Sequence, residues 1–215
     1  MCGIAGIVRF DGGSVRAEQV RRQTDLIAHR GPDDAGVHVS GPVGLGHRRL
    51  SIVDLSPAGH QPMASADEAL WIVFNGEVYN HAELRHELQA LGHAFRSGTD
   101  TEVILAAYRQ WGDACVERFE GMWAFALWDA DRRRLFCSRD RLGIKPFYYA
   151  LTADGFAFGS EIKAVLASGL VPARPQLDAL RMQLVYRSRT DAQGTCFRDI
   201  VQLAPASNAV LTGGR

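Results

Sequence analysis

Two reactive groups stand together at the start of the chain. Cys2 follows Met1 directly, so removal of one methionine would leave a residue bearing both a thiol and a free α-amine. The thiolate is the attacking form of cysteine, and a thiol with a pKa near ~8.5 is mostly protonated at neutral pH. An α-amine titrating at roughly 7.7–8.0 can take that proton and return it, as it does for N-terminal threonine nucleophiles. The pair is a nucleophile that carries its own base. Position alone proves little, because a lone cysteine usually behaves as a small apolar side chain. The chemistry needs a pocket to serve.

Three further segments carry polar residues at the ends of predicted strands: Arg49 with Ser51, Asn75-Gly76-Glu77, and Gly98-Thr99-Asp100. Taken singly, each has a structural explanation. Arg49 reads as a solvated charge, Glu77 and Asp100 as acids at helix starts, where the dipole favours them, and Asn75-Gly76 as a turn. Taken together, they are candidates to surround Cys2.

The elements that must position these groups follow from periodicity and turn chemistry. Residues 3–10 read as a short apolar strand, 16–29 as a helix, and 36–39 and 43–50 as strands. Residues 70–74 form an apolar strand that stops at Asn75-Gly76, which the pattern places in a strand-to-helix connection because Asn80 and Glu83 open a helix over 81–91. Thr99 and Asp100 cap a helix over 101–111, and another spans 114–119. Residues 122–128, 135–138, 147–151 and 155–159 are strands whose connecting turns imply antiparallel neighbours. Helices over 161–168 and 177–186 follow, and 200–203 with 209–212 reads as a final hairpin. Sheets with helices outside them are expected, an α+β or layered arrangement.

Composition narrows the partners. With 24 basic against 24 acidic residues there is no electrostatic footprint for nucleic acid or an anionic membrane. No run of about eighteen apolar residues or basic-then-apolar leader is present, so a soluble, cytoplasmic protein is expected. The four cysteines are far apart, with no C-x-x-C pair, which suggests neither a disulfide framework nor a metal site.

Five motifs then carry a resemblance: Met1-Cys2-Gly3-Ile4-Ala5-Gly6, His29-Arg30-Gly31-Pro32-Asp33, Gly46-His47-Arg48-Arg49-Leu50-Ser51-Ile52-Val53-Asp54, Asn75-Gly76-Glu77-Val78-Tyr79-Asn80 and Ser97-Gly98-Thr99-Asp100-Thr101-Glu102. In order and spacing they resemble the class II glutamine amidotransferase domain, in particular the glutaminase half of glutamine-hydrolysing asparagine synthetases. Residues 121–126 and 138–149 extend the similarity over nearly all of 1–170.

The resemblance implies an N-terminal-nucleophile (Ntn) hydrolase fold, a four-layer αββα sandwich with two mainly antiparallel sheets. It implies that Cys2 attacks the side-chain amide of L-glutamine and that Asn75 and Gly76 supply the oxyanion donors. Arg49 would hold the α-carboxylate and Asp100 the α-ammonium, with Glu77 and the stretch Leu50, Ser51, Ile52 and Val53 completing the pocket. Arg30 would organise the site. No metal or cofactor is implied for the glutaminase reaction; ATP and Mg would belong to a synthetase domain expected to lie outside this chain. Residues 171–215 resemble the extension that leads towards that domain, although Ala206-Ser207-Asn208 departs from the glycine-containing turn usual there. The ammonia would pass to an ATP-dependent synthetase domain or subunit, with aspartate as its acceptor. Two alternatives stay open: a glutamine-binding regulatory module with little turnover, and an amidotransferase serving another acceptor.

Overall fold

The computed structural model describes residues 1–186 and 193–212. One sheet runs in the order β10 (Val201–Gln202), β8 (Tyr148–Leu151), β9 (Gly155–Gly159), β1 (Gly3–Arg9), β3 (Val43–Arg49) and β2 (Asp34–Ser40). The other runs β11 (Asn208–Thr212), β7 (Arg134–Arg139), β6 (Gly121–Asp129), β5 (Leu70–Val78) and β4 (Met63–Ala64). Neighbouring strands in both sheets pair antiparallel, including β6 with β7 and β8 with β9 across the turns read from the sequence.

Alternation along the strands creates the layers. On β5 and β6, Ile72, Phe74, Trp123, Phe125 and Leu127 pack against α2 (His81–Ala90) and α3 (Asp100–Trp111), whose Leu84, Leu88, Val103, Ile104 and Tyr108 close that core. The intervening Val73, Ala124, Ala126 and Trp128 face the first sheet and meet Ile4, Val8, Val43, Leu45, Phe156 and Phe158. The outer face of the first sheet receives α1 (Ala17–Asp25) and α4 (Ile162–Ala167) through Ile7, Val20, Ala157 and Val165. Glycine on β3 makes that approach close: a Cβ on Gly44 would lie 2.6 Å from Val20 Cγ2, and one on Gly46 2.6 Å from Thr24 Cγ2. The layers run helix, sheet, sheet, helix, the expected αββα sandwich.

Several local readings change. The β5 strand does not stop at residue 74: Asn75 and Gly76 lie inside it, opposite Ala124 and Trp123 of β6, because nine successive residues find partners there. Residues 201–202 and 208–212 do not form a hairpin; β10 joins β8 in one sheet and β11 joins β7 in the other. The 16–29 helix ends at Asp25, with a separate 3₁₀ turn at Ala28–Arg30, and Gly112–Arg118 is 3₁₀. Asn80 does not cap α2 with its side chain; it ties to Arg118 O and Glu120 N, both at 2.9 Å. Thr99 does cap α3, its Oγ1 accepting from Glu102 N at 3.2 Å. Among the described residues no helix is long and apolar enough to cross a membrane.

Candidate active site

The strand parities that build the inter-sheet core also aim the polar residues at its end. Cys2 shares the parity of Ile4 on β1, His47 and Arg49 that of Val43 and Leu45 on β3, and Asn75 and Glu77 that of Val73 on β5. Where the apolar pairs run out, these side chains occupy the space between the sheets. Cys2, Arg49, Leu50, Ile52, Val53, Asn75, Gly76, Glu77 and Asp100 line one cavity that opens to solvent. Ser51 does not line it; its N–H donates to Asp33 Oδ2 at 2.8 Å.

Cys2 is set beside the end of β3 by the pairing of Gly3 with Arg48. The Leu50 N–H donates to its sulfur at 3.4 Å, and the thiol faces Leu50 O at 3.6 Å. Burial pushes the thiol up; the Leu50 N–H, the amino-terminal charge and Arg49 work against that, while Asp100 adds to it. Arg30 donates from Nε to the Cys2 carbonyl at 2.9 Å and from Nη1 to Glu161 Oε1 at 3.2 Å. Although burial opposes it, hydrogen bonds from Lys163, Arg30 and His29 hold the Glu161 carboxyl below the usual range. Arg30 therefore anchors the residue on which the chemistry would depend.

Arg49 is only 8% exposed and serves two purposes. It donates from Nη1 to Ser56 O at 2.9 Å and from Nη2 to Asp54 O, so the loop after β3 is folded over its guanidinium. Gly59 leaves room for this guanidinium, which a Cβ there would crowd. A guanidinium has five donors, so others remain for a ligand in the cavity. Asp100, at the first turn of α3, accepts from the Val78 N–H at 3.0 Å, and burial raises its carboxyl above the usual range.

Asn75 is 1% exposed, and its Nδ2 has no hydrogen-bond acceptor among the described residues. A buried donor left unpaired typically costs ~1–3 kcal/mol, so it is informative that this one stands on the cavity wall. The peptide just before it is held from both sides. The Phe74 N–H donates to Gln61 Oε1 at 2.7 Å, and His47 Nε2 donates to Phe74 O at 3.0 Å. Gln61 is itself tied to Thr101 Oγ1 at 3.2 Å. Burial pushes His47 down to about 4, so its ring is neutral, with Nε2 as donor and Nδ1 without a partner among the described residues. Gly76 packs against β6 so closely that a Cβ would meet Met122 O at 2.3 Å.

Gln61, His47 and Lys145 were not singled out by sequence reasoning. For His47 a signal existed: on a strand whose odd-numbered residues Val43 and Leu45 are apolar and inward, an imidazole at the next inward position needs a buried partner. Gln61 and Lys145 lie in loops, where no periodicity points inward. Among the described residues no three His, Cys, Asp or Glu side chains converge as a metal site.

Residues 1–215 match the model of a family described as glutamine amidotransferase domain. The chain is 43% identical over 212 residues to asparagine synthetase [glutamine-hydrolyzing] 3 of Bacillus subtilis (strain 168), covering 96% of this chain and 34% of that protein. It is 45% identical over 204 residues to putative asparagine synthetase [glutamine-hydrolyzing] 2 of Methanocaldococcus jannaschii, covering 86% of this chain and 39% of that protein. The chain thus spans between a third and two fifths of the length of these relatives. Glutamine phosphoribosylpyrophosphate amidotransferase from B. subtilis shares the fold, with a TM-score of 0.72 at 18% identity over 98% of this chain and 47% of that one.

Proposed function

We propose, because the chain belongs to the glutamine amidotransferase domain family, that it hydrolyses L-glutamine to L-glutamate and ammonia with Cys2 as nucleophile. One observation carries this reading: the Asn75 amide, a buried donor without an acceptor among the described residues, lines the same cavity as the Cys2 sulfur.

Once Met1 is removed, the α-amine of Cys2 takes the thiol proton and the thiolate attacks the side-chain amide carbon of glutamine. The oxyanion of the tetrahedral intermediate receives hydrogen bonds from Asn75 Nδ2 and the Gly76 N–H. Collapse breaks the C–N bond, the ammonium formed at the α-amine returns its proton to the leaving nitrogen, and ammonia departs from a glutamyl thioester. Water, deprotonated by the same amine, then attacks the thioester carbon and releases glutamate and the thiol. Asp100 pairs with the α-ammonium, and ion pairing opposes the burial that raises its pKa. The remaining donors of Arg49 take the α-carboxylate, and Glu77 with the backbone of 49–53 fills the rest of the pocket.

The ammonia is a substrate for an ATP-dependent synthetase domain or subunit, which is where ATP and Mg act; the hydrolysis itself uses no cofactor. The names of the relatives support aspartate as the acceptor and asparagine as the product. A reducing, cytoplasmic setting, in which the four free cysteines stay thiols, suits this chemistry. Cys2→Ala tests the reading: ammonia release from glutamine should vanish while the circular dichroism spectrum is unchanged. Persistent release at the original rate would remove Cys2 from the reaction.

A further inference from the structure

The mechanism above leaves one buried cation unused. Lys145 is 6% exposed and lines the same cavity as Cys2, Glu77 and Met122. Its backbone is held at both ends: the N–H donates to Asp140 Oδ2 at 3.0 Å, and the carbonyl accepts from Arg139 Nε at 2.7 Å. Asp140, fully buried, also gathers the N–H groups of Trp123, Leu142 and Ile144 at 3.2, 3.1 and 2.9 Å, so the loop that carries Lys145 is wound around a fixed carboxylate. Yet among the described residues no group accepts a hydrogen bond or ion pair from the Lys145 ammonium.

With most of the residue out of water, this ammonium is less well solvated than a surface lysine and gains from an anion that visits the cavity. The other cations near Cys2 have partners. Arg30 holds the Cys2 carbonyl and Glu161, and Arg49 holds the carbonyls of Asp54 and Ser56. Asp100 and Glu77, which share the cavity, are negative and oppose a second negative charge there. Burial pushes the lysine down, while Cys2, Asp140 and Glu77 act to raise it and Arg30 to lower it.

We propose that Lys145 is a positioning residue acting through Cys2: its ammonium is the counter-charge of the thiolate and keeps the sulfur ionised after the α-amine has taken its proton. The inference rests on Cys2 being the nucleophile, and the test separates the two.

In the full chain with Met1 removed, Cys2 is alkylated with iodoacetamide across pH, and its rate is followed by the mass of the Cys2 peptide. This readout is independent of turnover and of the other three cysteines. Lys145→Met should move the alkylation midpoint up by about one pH unit and lower kcat about tenfold near neutral pH. KM for glutamine should stay within about twofold, and Lys145→Arg should restore both the midpoint and kcat. Should Lys145→Met fail to fold, Lys145→Gln keeps a polar tip and carries the same expectation. An unchanged midpoint in a folded variant overturns the proposal. So does a rise in KM with kcat intact, which would make the lysine a substrate contact. If instead Cys2→Ala retained ammonia release, the nucleophile reading itself would fail whatever Lys145 does.

Discussion

Acidification should weaken the tie between the two sheets at one residue, His47. Burial holds this imidazole neutral down to about 4, against an ordinary value of 6.5. On lowering the pH, the unfolded chain therefore binds a proton at His47 well before the folded chain does. A depressed pKa means stability that is complete above 6.5 and lost as the pH falls towards about 4. At ~1.36 kcal/mol per unit, that interval corresponds to a loss on the order of 3 kcal/mol. Other groups titrate in the same range; His38 is also pushed down by burial. The informative quantity is therefore a difference. His47→Gln keeps a donor for the Phe74 carbonyl but cannot take a proton. Urea unfolding of both proteins, from about pH 4 to about pH 7.5, should show the wild type losing on the order of 3 kcal/mol more than the variant. Parallel stability curves would refute the reasoning. Ammonia release should decline with the tie, since the Phe74 peptide directly precedes Asn75.

Two further outcomes follow from the site. Asn75→Ala should lower kcat by about 10²–10³, while the melting temperature does not fall, since the deleted Nδ2 makes no hydrogen bond within the described residues; a lower melting temperature with kcat intact would make the residue structural. Asp100→Asn should raise KM for glutamine by roughly 10- to 100-fold, the worth of a charged hydrogen bond. Because burial raises the Asp100 carboxyl, its ionised form is a stability cost that is full above that raised pKa and fades to nothing as the pH falls to the ordinary value of 3.8. The variant should be no less stable than wild type at neutral pH. Wild-type KM should rise with acidification sooner than an exposed carboxylate would dictate, and the variant's KM should not follow it.

Cys2, Arg49, Asn75 and Asp100 were legible as polar groups in motifs at strand ends, and the fold brings them to one cavity. What the sequence did not show is the strand parity that aims Cys2, Arg49 and Asn75 inward. The error at Asn75-Gly76 came from reading Asn-Gly as punctuation. In the fold the pair is in mid-strand because β6 offers an unbroken run of partners and Gly76 alone fits beneath Met122 O. Asn80 likewise looked like a helix cap by sequence neighbours, but its partners lie about forty residues away, at Arg118 and Glu120. The final two strands read as a hairpin because they are close in sequence; they separate because each sheet has an edge to extend. Lys145 and Gln61 have no periodicity to mark them: Lys145 sits on a loop wound around the Asp140 carboxylate, and Gln61 on a loop fixed by the Phe74 N–H.

The most direct measurement compares the same chain with the amine of Cys2 blocked and free. A removable extension joined to Cys2 leaves the thiol, Asn75, Arg49 and Asp100 in place and withholds only the α-amine. Ammonia release from L-glutamine is recorded before and after the extension is cleaved to expose Cys2, with intact mass confirming the new terminus. Release should appear only after cleavage, together with a glutamyl adduct on Cys2 trapped during turnover. Equal release from the blocked chain would contradict a role for the α-amine as base.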